Sequence, residues 1–208
     1  MTMPAPDAPS HPLLQADRLV FSHGGAPLLQ GLSFTIGLGL TLVRGGDGRG
    51  KSTLLRLIAG SLQPAGGTLC RHAATLSFEN PSDPAHDQAV AGAWLQARLA
   101  PFPHALPPDE VRRLVDGFGL AEHIDKPLYM LSTGSRRKVG LVAAAASQAA
   151  LTLLDTPFAA LDGPSRERLA RLLAEEAAGT SRAWIIADYE WPPGLAGVRC
   201  AGIVDLGD

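Results

Sequence analysis

The sequence predicts an α/β domain with a largely parallel sheet. Short apolar segments typical of buried strands alternate with segments that have the leucine and alanine spacing of helices. The chain has 208 residues, of which 46% are hydrophobic and 18% are charged, so it can bury a sizeable core. A glycine-rich loop, Gly45–Gly50, lies directly between a predicted strand and a predicted helix.

The first part of the chain begins with a predicted flexible tail over residues 1–13, and the predicted domain covers residues 14–208. Apolar patterning then predicts four strands: Leu14–Phe21, Gly31–Ile36, Leu40–Val43 and Ala73–Phe78. Leucine spacing predicts one helix, Ser52–Ala59, and Pro64–Gly67 predicts a turn that brings the chain back.

The composition changes between Asn80 and Pro127, where prolines are frequent. Two amphipathic helices are predicted there, Gln88–Leu99 and Asp109–Phe118, which indicates an inserted helical lobe. Alternating helices and strands follow: a buried helix Gly134–Ser147, a strand Leu151–Leu154, a helix capped by Asp162 that runs to Ala178, and strands Trp184–Ala187 and Ile203–Leu206.

Composition excludes several classes of protein. The net charge of -2 argues against a nucleic-acid-binding protein, which carries a basic excess. The sequence has no apolar run of about 18 residues, so we expect no membrane span, and its first residues lack the pattern of a signal peptide. Cys70 and Cys200 are far apart and form no metal-binding pattern, so a cytosolic protein with reduced thiols is expected.

The strongest motif is Gly45-Gly46-Asp47-Gly48-Arg49-Gly50-Lys51-Ser52, followed by Thr53, which fits G-x-x-x-x-G-K-[ST]. Glycines in such a loop let backbone N–H groups converge on phosphate oxygens, and the following helix adds the positive end of its dipole. We expect Lys51 to reach the β- and γ-phosphates of a nucleotide and the Ser52 hydroxyl to ligate Mg²⁺. The alternative is a chance glycine-rich turn with a solvated lysine.

A second candidate is Asp155, which ends the apolar strand Leu151–Leu154. A carboxylate in that place can hold Mg²⁺ through water beside a phosphate loop. Taken alone, the signal is weak, because an aspartate at the end of a strand is usually a cap or part of a turn.

Leu131-Ser132-Thr133-Gly134-Ser135, followed by Arg136-Arg137-Lys138, lies between the loop and Asp155. Here the sequence resembles the ATP-binding subunits of ABC transporters, whose signature is LSGGQ. The resemblance implies that Ser132 and Gly134 contact the γ-phosphate of ATP held by the opposite subunit, whereas Thr133 and Ser135 depart from the signature. The alternative is a serine N-cap with a solvated basic first turn.

Further matches extend the resemblance from about Leu14 to Leu206. Ala159–Asp162 resembles the D-loop of the family, and His23, with Phe21 as second choice, falls where the family has an aromatic that stacks on adenine. The resemblance implies a P-loop NTPase core with a mostly parallel sheet, an N-terminal antiparallel β part and an inserted helical subdomain over about residues 80–150. In the family this subdomain grips the membrane subunit.

Three positions depart from the catalytic pattern of the family. Thr156 replaces the glutamate that polarises the attacking water, Asp188 replaces a histidine that contacts the γ-phosphate, and Glu79 replaces a glutamine. The residues that bind nucleotide are present, so we expect good ATP binding. Threonine is no useful base near pH 7, so we expect hydrolysis that is slow or that uses a base at another position. Either the three residues reflect drift in an inactive copy, or a carboxylate of Glu79 or Asp188 activates the attacking water instead. The candidate metal ligands are Ser52, Asp155 and Glu79.

The function implied is that of an ATP-binding subunit of an ABC transporter, with ATP and Mg²⁺ as its nucleotide and metal. Its expected partners are transmembrane permease subunits and a second nucleotide-binding subunit, identical or different. Its expected place is peripheral, on the inner face of the cell membrane. The alternative is a non-hydrolysing, nucleotide-gated regulatory subunit. A soluble ABC ATPase that acts on ribosomes or in DNA repair is disfavoured, because the chain has neither two such domains nor a long coiled-coil insertion.

Overall fold

The computed structural model describes residues 12–179 and 181–207, in which strands and helices alternate as the sequence predicts. In chain order the elements are β1 (Leu14–His23), β2 (Ala26–Ile36), β3 (Gly39–Arg44), α1 (Lys51–Ala59), β4 (Gly66–Arg71), β5 (Leu76–Phe78), α2 (Ala91–Leu99), α3 (Pro108–Gly117), α4 (Thr133–Ala146), β6 (Leu151–Asp155), α5 (Gly163–Ala178), β7 (Ala183–Asp188) and β8 (Gly202–Asp205).

The centre of the fold is a five-stranded sheet with the order β5-β6-β7-β3-β8. Every pairing in this sheet is parallel, which confirms the predicted α/β class. The inner strands β3, β6 and β7 are buried along almost their whole length. Strands covered on both faces are continuously apolar, and this is the pattern by which the sequence predicts them.

A second sheet of three strands, with the order β2-β1-β4, is antiparallel. The sequence pattern does not predict strand β4, because its residues are mostly exposed and begin with two glycines, so they show no alternation of apolar and polar side chains. Gly67 has a φ of 76°, and a Cβ there would lie 2.2 Å from the carbonyl oxygen of Arg18. Only glycine therefore allows β4 to pair with the irregular part of β1.

The predicted tail over residues 1–13 is described only from residue 12 onward. Leu13, its last residue, donates a backbone hydrogen bond to Ile36 and accepts two, from His72 and Ala73. This residue therefore extends the antiparallel sheet rather than the tail. Residues 1–11 lie outside the described part of the chain, where the tail stays a prediction.

The core consists of two clusters of buried apolar side chains. One contains residues of α1, of the antiparallel sheet and of the parallel strands. The other joins α2, α3, α4 and α5 to β3, β6 and β7. The helix predicted from about Gln88 begins at Ala91, because Val90 is extended and forms a β-bridge with Pro127.

None of the helices in residues 12–179 and 181–207 combines the length and the apolar character needed to cross a membrane.

The carboxyl ends of the five parallel strands meet at one edge of the sheet, because all five run in the same direction. The phosphate loop, Glu79, Asp155 with Thr156, and Asp188 lie at or directly after those ends, whereas His23 and the signature residues do not.

Candidate nucleotide site

The phosphate loop begins where β3 ends and passes directly into α1. Gly48 and Gly50 have φ angles of 76° and 93°, in the left-handed region that favours glycine. A Cβ on Gly45 would lie 3.0 Å from the carbonyl oxygen of Gly207, which also accepts a hydrogen bond from Gly46 N–H at 3.0 Å. Gly48 and Gly50 therefore suit the turn, and Gly45 suits the close packing of the loop on the backbone at Gly207.

Helix α1 presents a free N-terminus to this loop. Its N-cap is Gly50, which supplies no side-chain hydrogen bond, and its first turn contains no acidic residue. The first N–H groups of a helix lack partners inside the helix and carry partial positive charge. This arrangement suits a phosphate group.

Lys51 folds back over the phosphate loop. Its Nζ donates to the carbonyl oxygens of Gly45 at 2.6 Å and Gly46 at 2.9 Å, and the residue is only 9% exposed. The ammonium group is therefore fixed above the loop, near the N–H groups that would bind phosphate. Of the other residues in the motif, Asp47, Gly48, Arg49 and Ser52 are exposed, and Thr53 is half-buried.

A cleft of about 320 Å³ lies beside the loop, lined by residues that the sequence singled out from three separate segments. Ser52 comes from α1, Glu79 follows β5, Asp155 ends β6 and Thr156 is the residue after it. The fold thus brings these four predicted site residues together around one opening.

The oxygen ligands that this cleft offers fit Mg²⁺, a hard cation that prefers oxygen donors. Ser52 offers a hydroxyl, and Asp155 offers a carboxylate that makes no side-chain hydrogen bond in the described residues. Within residues 12–179 and 181–207 there is no group of three or more His, Cys, Asp or Glu side chains that could hold a metal alone. Mg²⁺ does not require such a cage, because it usually binds one or two carboxylates together with nucleotide phosphates and water.

Glu79 lines the cleft but is already paired. Its side chain is 3% exposed, and its Oε2 accepts a hydrogen bond from Arg98 Nε at 2.6 Å. Ser77 Oγ donates to the other carboxylate oxygen at 3.2 Å. This group therefore contributes to the cleft as the partner of an arginine on α2, and not as a free carboxylate.

Thr156 has an unusual backbone conformation, with a φ of 42°. Positive φ values are rare for β-branched residues, because the side chain then crowds the backbone. Its N–H donates to the carbonyl oxygen of Ala187 on β7 at 2.8 Å. Its carbonyl oxygen and its Oγ1 both accept hydrogen bonds from Nη1 of Arg137 on α4, the second at 3.3 Å.

Asp188 does not line this cleft. It ends β7 and faces a second, larger cleft with Tyr189 and with Arg166 of α5, and its Oδ1 accepts a hydrogen bond from the N–H of Tyr189 at 2.8 Å. The two carboxylates that the sequence proposes as replacement groups, Glu79 and Asp188, therefore occupy different openings.

The signature residues lie on a separate surface from the cleft. Ser132 caps α4: its Oγ accepts from the N–H of Ser135 at 3.1 Å, and it lies 3.0 Å from Ser135 Oγ. Ser132 and Thr133 are exposed. A Cβ on Gly134 would lie 2.5 Å from the carbonyl oxygen of Ala160, so the glycine is required by the adjoining D-loop segment.

Asp162 closes that segment and caps α5 through a hydrogen bond from Ser165 N–H at 2.8 Å. Its Oδ2 accepts from Lys138 Nζ at 2.6 Å. The pKa of this carboxyl lies well below its ordinary value of 3.8. The largest cause is the hydrogen bond from Lys138, and the hydrogen bonds from the side chain and the backbone of Ser165 add to it. Asp162 therefore stays ionised at any pH at which the protein is expected to work.

The adenine side of the site is only partly described. The backbone of His23 ends β1 opposite Ala26, but its side chain lies outside the described part of the chain, so its stacking role stays a prediction. Phe21, the second choice, packs against the apolar cluster around α1.

Sequence reasoning missed the roles of the basic triplet after the signature. Each member has a different partner: Arg136 pairs with Asp87 at 2.7 Å, Arg137 contacts the backbone after β6, and Lys138 pairs with Asp162. These partners are far away in the sequence, so only the run of three basic residues at a helix start could have drawn attention to them.

Comparisons with known proteins show what the chain resembles as a whole. A family model described as ABC transporter matches residues 29–159. The cytochrome c biogenesis ATP-binding export protein CcmA of Alkalilimnicola ehrlichii is 37% identical over 78% of this chain and 75% of that protein. The Fe(3+) ions import ATP-binding protein FbpC 3 of Rhodococcus jostii is 31% identical over 93% of this chain and 60% of that protein. An ABC transporter ATP-binding protein of Pyrococcus furiosus has the same fold, with a TM-score of 0.73, 22% identity and coverage of 93% of this chain and 96% of that one.

Proposed function

The chain belongs to the ABC transporter family and is one of its ATP-binding subunits, and we propose that it binds Mg-ATP tightly in the cleft beside α1 but hydrolyses it slowly. The observation that carries this proposal is the make-up of that cleft. Ser52, which directly follows the phosphate loop, and Asp155 line it, while Thr156 stands where the family has its catalytic glutamate. The groups that bind nucleotide are thus present without the group that activates water.

Binding depends on the phosphate loop and on α1. The N–H groups of the loop and of the first helical turn face the phosphates, and Lys51 moves from the carbonyl oxygens of Gly45 and Gly46 to the β- and γ-phosphates. Ser52 and Asp155 are the residues that would hold Mg²⁺, and the bound ion would neutralise charge on the phosphate oxygens. His23 is the candidate for stacking on the adenine ring.

Hydrolysis is slow because the cleft offers no available base besides Asp155, which is assigned to Mg²⁺. The hydroxyl of Thr156 does not accept a proton near pH 7 and receives a hydrogen bond from Arg137. Glu79 is the remaining candidate besides Asp155, and its carboxylate is paired with Arg98. Loss of a positioned base costs about 10²–10⁴ in rate.

A second function, a nucleotide-gated subunit that does not hydrolyse ATP, is favoured by the same two features, Thr156 and the separation of Asp188 from the cleft. Steady-state ATP turnover of the purified protein separates the two functions. A slow turnover that disappears in Lys51→Ala supports the ATPase. Binding of fluorescent ATP without any turnover, alone or with membrane partners, supports the nucleotide-gated subunit.

We further propose that the protein works as a dimer of nucleotide-binding subunits. Ser132 and Thr133 are exposed and do not line the cleft of their own chain, which leaves them free to complete the ATP site of another subunit. A homodimer would have two slow sites. A heterodimer with a fully equipped subunit would have one slow site, built on this chain's Lys51, and one fast site that uses this chain's Ser132.

Affinity purification from the native cell followed by mass spectrometry distinguishes these dimers. A different ATP-binding subunit in the complex supports the heterodimer. Recovery of a membrane protein with this ATPase as its only nucleotide-binding chain, turning over ATP at a normal rate, contradicts it.

The proposed partners are transmembrane permease subunits, gripped by the helical subdomain of about residues 80–150, which places the protein on the inner face of the cell membrane. Relatives of this chain are named for export in cytochrome c biogenesis and for import of Fe(3+) ions. We therefore propose that the membrane subunits, rather than this chain, determine the cargo and its direction.

A further inference from the structure

Arg137 lies where the signature helix α4 meets the backbone after β6. Its Nη1 is 3.2 Å from the carbonyl oxygen of Asp155, 3.3 Å from Thr156 Oγ1 and also hydrogen-bonded to the carbonyl oxygen of Thr156. In residues 12–179 and 181–207, Arg137 forms no ion pair with a carboxylate, whereas both neighbours in the basic triplet do. The charge of Arg137 is therefore directed at backbone and hydroxyl oxygens beside the nucleotide cleft.

The residue that Arg137 contacts is strained. Thr156 has a φ of 42°, a conformation that costs a β-branched residue free energy and persists only where the surroundings enforce it. Three groups contact Thr156 here: its N–H donates to Ala187 on β7, its carbonyl oxygen accepts from the N–H of Ala159 at 3.1 Å, and its two oxygens accept from Arg137. Removing Arg137 leaves the two backbone hydrogen bonds and takes away the only side-chain donor among these three groups.

The same helix holds the rest of this loop. The carbonyl oxygen of Ala160, a residue with a φ of 58°, lies where only a glycine at position 134 leaves room for it. At the end of the loop, Lys138 pairs with Asp162 at 2.6 Å. Segment 156–162 thus contacts α4 at three places: Thr156 at Arg137, Ala160 at Gly134 and Asp162 at Lys138.

We propose that Arg137 is a positioning residue, which holds Thr156 in its left-handed conformation and thereby fixes the Asp155 end of the nucleotide cleft to the signature helix. Asp155 ends β6 directly before Thr156, so a change of backbone conformation at Thr156 would shift the carboxylate of Asp155, which lines the cleft. Misplacement of a catalytic group by about 1 Å can cost about 10² in rate. The consequence for turnover rests on the proposed function, whereas the contact with Thr156 does not.

The test is a double-mutant cycle of Arg137→Met and Thr156→Gly, with Arg136→Met as the matched control. Methionine keeps the packing of the arginine stem but removes the donors, and glycine adopts a φ of 42° without strain. We expect Arg137→Met to lower kcat for Mg-ATP by about tenfold or more while the KM for ATP changes less, because the phosphate loop is intact. In the Thr156→Gly background the same substitution should cost clearly less, and Arg137→Lys should retain part of the rate.

An equal loss of kcat in the parent and in the Thr156→Gly background, or an equal loss in Arg136→Met, would overturn the proposal, because the arginine would then act through general packing of α4. The melting temperatures of the parent, the two single variants and the double variant provide a readout that does not require ATPase activity. The lowering caused by Arg137→Met should shrink in the Thr156→Gly background, and an undiminished lowering contradicts the proposal. If the parent protein shows no ATP turnover at all, the proposed hydrolysis fails, and the melting temperatures still decide the role of Arg137.

Discussion

Replacement of Thr156 by glutamate should raise ATP turnover by about 10²-fold. A positioned general base contributes about 10²–10⁴ to the rate, and glutamate at this position has the reach to act as one. The gain should lie at the lower end, because Arg137 Nη1 is 3.3 Å from Thr156 Oγ1 and would lie beside the new carboxylate. A cation at that distance lowers the pKa of a carboxyl, which makes it a weaker base.

The assay is steady-state release of phosphate at saturating Mg-ATP, with Thr156→Gln as the matched control. Glutamine has the same length and the same unbranched Cβ, so it relieves the same backbone strain at a φ of 42° without supplying a base. The reasoning is refuted if the glutamate variant is no faster than the parent, or if the glutamine variant gains as much.

Three further predictions concern the loop, the cap and the two carboxylates. Gly134→Ala should lower the free energy of unfolding by about 1–3 kcal/mol in urea titrations, because its Cβ would lie 2.5 Å from a carbonyl oxygen, whereas Gly163→Ala, with open space around it, should cost less. The pKa of Asp162 is lowered in the folded state, so its charge stabilises the folded protein fully at pH values above the ordinary pKa of 3.8, and this stabilisation is lost as the pH falls further. The difference in melting temperature between the parent and Asp162→Asn should therefore be present at pH 7 and shrink in strong acid. Glu79→Gln should lower ATP turnover more than Asp188→Asn does, because Glu79 lines the cleft with Ser52 and Asp155 and its loss leaves the charge of Arg98 without its partner there. An equal or reversed ranking would contradict this placement.

The parallel sheet was predictable because its inner strands are apolar runs bounded by loops. β3, β6 and β7 are buried on both faces, and each appears in the sequence as such a run. Strand β4 could not be predicted in this way, because it is mostly exposed and is held by pairing with β1, which is distant in the sequence. The position of an exposed edge strand such as β4 is determined by the strand that it pairs with rather than by the hydrophobic pattern of its own residues.

The phosphate loop was predictable for a different reason. Its glycines, Lys51 and Ser52 are consecutive, so their roles follow from local geometry alone. The pairing of Glu79 with Arg98 and the contact of Arg137 with Thr156 join segments that are 19 residues apart in each case, and no local pattern encodes them. The first contact pairs the carboxylate of Glu79 and the second engages the hydroxyl of Thr156, so the groups available to activate water depend on tertiary structure.

The central claim, that the loop before α1 holds the phosphates of ATP, is tested most directly by equilibrium binding of a fluorescent ATP analogue in the presence of Mg²⁺. The parent and the control variant Lys126→Ala, an exposed lysine outside the cleft, should bind with the same affinity. Lys51→Ala should bind about tenfold to a hundredfold more weakly or not measurably, because a charged hydrogen bond to phosphate contributes about 1.5–3 kcal/mol. An unchanged affinity in Lys51→Ala would contradict the assignment of the site.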